Sequence, residues 1–253
     1  MGQNDFGILR GSLPEEVSAK GILSRLLRNS PIPDEELLDN VGLYLPRQNF
    51  ARILFMHEIY TQILEVHGVV MEFGVRWGQN MSLFSNLRAI YEPFNYNRRV
   101  IGFDTFSGFP EVNSRDVTSH NDLKPGDYGL PAQWKGDLEN ILRFHENNAP
   151  IAHKRKIELI EGDASSTVPR YLEDSPEAII ALAYFDFDLY LPTKEVLEAI
   201  IPRLTKGSVL AFDELNVPEF PGETLALRET LGLGKYAIRR SPISPLTSYL
   251  VIE

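Results

Sequence analysis

Two apolar runs late in the chain each end in carboxylates. The first, Tyr184-Phe185-Asp186-Phe187-Asp188-Leu189-Tyr190, carries two. The second, Val209-Leu210-Ala211-Phe212-Asp213-Glu214, closes on two more. Pro192 to Leu204, between them, has the spacing of an amphipathic helix. Strand, helix, strand is the natural reading, and in a parallel sheet the carboxyl ends of such strands lie side by side. Asp186, Asp188, Asp213 and Glu214 would then converge. Four acids in one place repel, and some take up protons unless a cation sits among them. An all-oxygen donor set suits a hard divalent ion such as magnesium.

Three earlier runs end in the same manner. Glu72-Phe73-Gly74-Val75-Arg76-Trp77-Gly78 closes the first. Its glycines permit a tight turn and close approach of a ligand, but the spacing is G-x-x-x-G and lacks the glycine pattern of a dinucleotide cradle. Tight packing of strand on helix would require the same residues. Asp104 closes the second run, placed either to hold two ribose hydroxyls or to form an Asx turn, with Thr105 next in the chain. Gly162-Asp163-Ala164 closes the third, where an acid among small neighbours can meet an adenine edge or simply start a helix. Each has its ordinary structural explanation; together, acids at the ends of three successive strands fit a nucleoside ligand.

The elements needed to position these residues can be traced along the chain. Residues 1–66 read as a helical N-terminal extension, with a helix from Leu13 to Arg28, a break at Asn29-Ser30-Pro31-Ile32-Pro33, a short acidic helix from Asp34, and a long helix over Gln48 to Val66. Residues 67–253 read as one α/β domain. Its strands are Val69–Phe73, Val100–Asp104, Lys156–Glu161, Ile179–Phe185 and Ser208–Phe212. Its helices are Asn80–Tyr91, Gln133–Asn147, Ser165–Leu172 with a Ser cap, Thr193–Leu204 and Pro221–Leu231. Two terminal runs, Tyr236–Arg240 and Ser248–Ile252, form a hairpin. Five βα repeats predict a doubly wound, mostly parallel sheet, to which the hairpin adds an antiparallel edge and brings the total to seven strands. Residues 105–133 are rich in Gly, Pro, Ser, Asn and Asp and too long for a plain connection, so a lid or binding loop is expected.

Composition excludes several classes. The net charge of −10 disfavours nucleic acid as a partner. No cysteine is present, which removes disulfides, thiolate zinc and thiol nucleophiles and accords with a cytoplasmic setting. Met1-Gly2-Gln3-Asn4-Asp5 does not read as a signal peptide, and no run has the apolar length of a membrane span. With 43% hydrophobic residues, the 253-residue chain can fill a sizeable core.

Taken together, the motifs resemble a known family. E-x-G-V-x-x-G from Glu72, D-T-F-x-G-F-P from Asp104, G-D-A-S-S-T-V-P from Gly162, D-F-D-L-Y from Asp186 and the late Asp213-Glu214 look like the macrocin O-methyltransferases. The resemblance covers roughly residues 66–215. It implies a class I, Rossmann-like methyltransferase fold that uses S-adenosylmethionine and magnesium to methylate sugar hydroxyls in natural-product biosynthesis, and it makes a homo-oligomer plausible. It assigns the metal to Asp186, Asp213 and Glu214 and the general base to Asp188. It gives the methionine end of the cofactor to Glu72, Gly74 and Gly78, the ribose to Asp104, and the adenine to Asp163 and Ala164. The family usually shows D-G-D and then D-D; here Phe187 and Glu214 replace the middle and last residues, and Arg76-Trp77 stands where Trp-Arg is common.

The implied chemistry is physically coherent. A sugar hydroxyl is a poor nucleophile near neutral pH; a divalent ion lowers its pKa and a carboxylate beside it takes the proton. On a continuing strand, Asp186 and Asp188 would point to one face, one to ligate and one to accept the proton. A catechol-type methyltransferase acting on a phenolic diol would use the same logic, and a non-catalytic relative that only binds the cofactor is the other alternative. A nicotinamide oxidoreductase would leave the late acids unexplained. The five histidines show no ligand spacing. His120, Tyr128, Trp134, Arg115 and Lys124 lie in or beside the lid, where the last two could meet an acidic substrate; Arg239-Arg240 reads as a solvated turn.

Overall fold

A computed structural model describes residues 13–253; Met1 to Asp5, the segment considered for a leader, lie outside them. The seven-stranded sheet has the order β3-β2-β1-β4-β5-β7-β6. Its parallel members are β1 (Val69–Phe73), β2 (Val100–Asp104), β3 (Ile157–Glu161), β4 (Ile180–Phe185) and β5 (Leu204–Phe212). Antiparallel β7 (Ser248–Val251) pairs with β5, and the two-residue β6 (Arg239–Arg240) pairs with β7. Every residue of β1 and β4 is buried, as central parallel strands covered on both faces must be.

Alternation along the strands divides the core in two. Met71, Phe73, Ala183, Phe185, Leu210 and Phe212 join helices α6 (Ala164–Asp174), α7 (Tyr190–Ile200) and α8 (Gly222–Thr230) on one face. Val70, Leu182, Tyr184, Val209 and Ala211 join α3 (Arg47–Gln62), α4 (Gln79–Tyr91) and α5 (Trp134–Asn147) on the other. The remaining helices, α1 (Pro14–Arg28) and α2 (Asp34–Leu37), precede α3. Strand order reverses between β1 and β4, so their carboxyl ends flank the crevice where α/β sheets bind ligands.

Several boundaries move from the sequence reading. The helix expected over Thr193–Leu204 starts at Tyr190 and stops at Ile200, giving way to a 3-10 turn and a β5 that begins at Leu204. Pro192 falls in its first turn, where a missing N–H costs nothing. The long helix ends at Gln62 rather than Val66. Asp163, not Ser165, caps α6: its side chain accepts from the Ser165 amide at 2.9 Å. Among the described residues no helix is long and apolar enough to cross a membrane.

The N-terminal helices are more than an extension. In α3, Phe55, Met56, Ile59 and Tyr60 form a buried stripe, and Arg52, three residues before Phe55 and four before Met56, shares that face. The C-terminal end of α3 is tied down by Arg98, 2% exposed, which donates to the Ile63 and Val66 carbonyls at 2.9 and 2.7 Å, to the Gly68 carbonyl, and to Glu92 at 2.9 Å. The fixed stripe aims Arg52 across the carboxyl ends of β4 and β5.

Candidate functional site

The sheet ladder runs one rung beyond the strands and sets the height of the site. Asp186 N–H donates to Phe73 O at 2.8 Å, Asp213 N–H to Phe185 O at 2.9 Å, and Gly162 N–H to Asp104 O at 2.9 Å. Residues from the strand ends thereby surround a cavity of about 330 Å³ whose wall includes Gly74, Asp104, Asp163, Asp186, Asp188 and Asp213. Most of the residues anticipated for a nucleoside and for an acid cluster thus face one space. Glu72 and Glu214, expected at the cofactor and the metal, are not among the residues that line it.

The strand ends at Phe185 as the sequence reading has it, so the condition under which Asp186 and Asp188 would share a face by alternation is not met. Asp188 has a left-handed backbone with φ +63°. A kinked segment, rather than strand alternation, carries Asp186 and Asp188 to the same cavity. Burial, followed by the charge of Asp213, pushes the Asp188 carboxyl up to about 7. Burial, followed by Asp188 and Asp213, pushes Glu214 up to about 9. Glu214 Oε2 is buried without a partner.

A cation does sit among the acids, and it is Arg52. Its Nη2 donates to Asp186 Oδ2 at 2.8 Å, and its Nη1 donates to both oxygens of Asp213, at 2.9 and 3.2 Å. Nε reaches Asn80 Oδ1 at 3.3 Å, and the Tyr184 hydroxyl donates to Asp213 Oδ1 at 2.5 Å. Among the described residues no three Asp, Glu or His side chains are gathered as a ready cage for a metal ion. The donor chemistry nonetheless suits one: the acids are all hard oxygen donors, they repel each other, and one Glu214 oxygen is unclaimed.

Glu223 organises the cluster from beneath. Wholly buried, it accepts from the Phe187 amide at 3.2 Å through Oε1 and from the Glu214 amide at 3.3 Å through Oε2. One carboxyl therefore links the loop after β4 to the loop after β5. Burial, then the charges of Asp188 and Asp186, raises its pKa well above the usual range.

At the other end of the cavity, Asp104 spends both oxygens on backbone: Oδ2 accepts from Arg76 N–H at 2.7 Å and Oδ1 from Phe106 N–H at 2.6 Å. It forms the Asx turn and also ties the β1 turn to the loop that follows β2. Gly74, with φ +88°, is pressed so close that a Cβ would lie 2.0 Å from Asp186 O. Glu72 is fully buried with both oxygens outside ordinary hydrogen-bond geometry, and burial, then Asp186, raises its pKa.

The loop over residues 105–133 contributes Phe109, Pro110 and Tyr128 to the wall; the Arg76 guanidinium lies 4.7 Å from the centre of the Tyr128 ring. Arg115 and Lys124 point elsewhere. Arg115 binds Glu229 at 2.7 Å over the ring of Tyr190, and Lys124 binds Asp122 at 2.6 Å. Among the described residues no histidine lines the cavity. Sequence reasoning missed Arg52, Tyr184, Asn80 and Glu223. A signal existed for two of them: Arg52 and Glu223 are charged residues on the buried faces of their helices, Glu223 in register with Ala226 and Leu227.

No family model matches the sequence. Over 99% of its length the chain is similar to the crystal structure of CalS11, calicheamicin methyltransferase, with 47% identity, 97% of that chain covered and a TM-score of 0.91. The apo structure of CalS11, described as a TDP-rhamnose 3'-O-methyltransferase in calicheamicin biosynthesis, matches 98% of the chain with 44% identity, 99% of that chain covered and a TM-score of 0.84. Among curated proteins, the 8-demethyl-8-(2,3-dimethoxy-alpha-L-rhamnosyl)-tetracenomycin-C 4'-O-methyltransferase of Streptomyces olivaceus is 27% identical over 165 residues, 60% of this chain. That match spans about half of the curated relative, 54% of its length.

Proposed function

The chain belongs to the macrocin-type family of S-adenosylmethionine-dependent sugar O-methyltransferases, and we propose that it methylates a hydroxyl of a nucleotide-linked deoxyhexose of the TDP-rhamnose kind, with Asp188 as base and magnesium as metal. One observation carries this reading: Asp186, Asp188 and Asp213 share a cavity with Gly74, Asp104, Asp163 and Ala164, so an acid cluster and a nucleoside-sized recess open onto the same space.

When bound, S-adenosylmethionine supplies an electrophilic methyl on a sulfonium. Magnesium, held by Asp186, Asp213 and Glu214, would supply charge that makes a sugar hydroxyl more acidic. The chain's own residues do the remainder. Gly74 lets backbone approach the methionine end, while Glu72 lies behind it. Asp104 fixes the backbone around the ribose position, and Asp163 with Ala164 borders the adenine. Asp188 accepts the hydroxyl proton as the sugar oxygen bonds to the methyl carbon and the carbon–sulfur bond breaks. The donor leaves as neutral S-adenosylhomocysteine. Arg76 lines the cavity with its guanidinium over the Tyr128 ring, which suits it to the diphosphate of a nucleotide sugar.

The test is a screen of nucleotide sugars and finished glycosides for a methyl-sized mass gain. TDP-rhamnose should be methylated. Asp188→Asn should cut turnover by about 10²–10⁴-fold while S-adenosylhomocysteine affinity by calorimetry stays within about threefold. Turnover should stop with a chelator and return with magnesium. Unchanged turnover in Asp188→Asn, or methylation of glycosides alone, overturns the corresponding assignment.

A further inference from the structure

We infer that Arg52 is a built-in counter-cation of the acid cluster, which a divalent ion must displace in order to bind. The inference rests on the proposed metal assignment and concerns what controls access to it. Arg52 holds both oxygens of Asp213 and one of Asp186. Asp213 Oδ1 is claimed a second time by the Tyr184 hydroxyl. Asp213 therefore has no oxygen outside the reach of Arg52, and an ion ligated there meets a guanidinium on the same carboxylate. Two cations cannot share that edge without repulsion, so the stronger one prevails.

The side chain is built for this exchange. A guanidinium fork matches two carboxylates at once, and a single positive charge is a poor match for Asp186, Asp188, Asp213 and Glu214 together. A doubly charged ion compensates them better. Arg52 also has a way out: its side chain is 29% exposed, and it lies one turn before the buried stripe of α3, so it can swing toward solvent without disturbing Phe55 or Met56. With the metal removed, the guanidinium keeps the two strand ends from repelling each other. With the metal present, Arg52 is released from both carboxylates.

The experiment uses the full chain, freed of metal by chelator and titrated with Mn²⁺, with the free ion measured by electron paramagnetic resonance. Arg52→Met should bind Mn²⁺ about tenfold or more tightly than wild type, and Arg52→Lys should fall between, since an ammonium cannot fork across both carboxylates. Metal-free Arg52→Met should melt below wild type, with the gap closing at saturating Mn²⁺. Equal or weaker binding by Arg52→Met, with wild type binding normally, overturns the inference alone. If neither wild type nor any variant binds Mn²⁺, the metal assignment falls and this inference falls with it. Should Arg52→Met fail to fold, Arg52→Gln provides the same comparison.

Discussion

The backbone amide of Phe187 donates to Glu223 Oε1, and the partner oxygen of that carboxyl takes the amide of Glu214. A side chain on α8 thus sets the spacing between the segment bearing Asp186 and Asp188 and the segment bearing Asp213 and Glu214. Partners one step behind a metal-binding set commonly change affinity or activity by about 10–100-fold when removed. Glu223→Ala should lower turnover and Mn²⁺ affinity by about that factor, while S-adenosylhomocysteine affinity by calorimetry is kept. Glu223→Gln retains one acceptor and should lie between. Equal loss of cofactor binding would point to general unfolding instead.

Gly74 cannot carry a side chain. Its φ is +88°, and an added Cβ would sit 2.0 Å from Asp186 O, a backbone atom that cannot step aside because the Asp186 amide is in the sheet ladder. The left-handed conformation alone costs a residue with a side chain about 1–3 kcal/mol, and the clash adds to it. Gly74→Ala should lower the melting temperature by about 5 °C or more and abolish cofactor binding; a soluble variant with wild-type melting would refute the close approach.

Asp104 holds two backbone amides, those of Arg76 and Phe106. Hydrogen bonds to a charged acceptor contribute about 1.5–3 kcal/mol each. Asp104→Ala should therefore weaken S-adenosylhomocysteine binding by about tenfold or more, and it should speed proteolysis within residues 105–133, because the bond to Phe106 holds the start of that loop. Binding loss without faster cleavage would confine Asp104 to ligand contact.

Arg98 is nearly inaccessible and serves three carbonyls at and beyond the end of α3 together with the carboxylate of Glu92. Removing one partner of such a buried pair costs about 3–5 kcal/mol. Arg98→Met should show that loss in urea unfolding, and the variant should also weaken the hold of α3 on Arg52. A change below about 1 kcal/mol would place the pair among exposed ion pairs.

The sequence alone located the chemistry. Short apolar runs with acids at or beside their ends predicted the five parallel strands, and the terminal hairpin predicted the antiparallel edge; both stand in the sheet order. The motif at Asp186 to Tyr190 with Asp213-Glu214 resembled the sugar O-methyltransferases and left a catechol-type enzyme as the alternative; the family membership agrees with the first. These features were legible because each lies within a few residues of chain: a strand's alternation, a turn's glycine and an acid at a strand's end are local patterns.

Tertiary structure decided how the acids are balanced. Arg52 and Asp213 are 161 residues apart, and Glu223 and Phe187 are 36 apart. No local pattern encodes a contact across such a distance, and only the packing of α3 and α8 on opposite faces of the sheet creates it. The left-handed backbone of Asp188 likewise breaks the strand alternation that adjacency would imply. The carboxylates required a cation on grounds of charge alone; the fold determined that one is already supplied by Arg52 of α3.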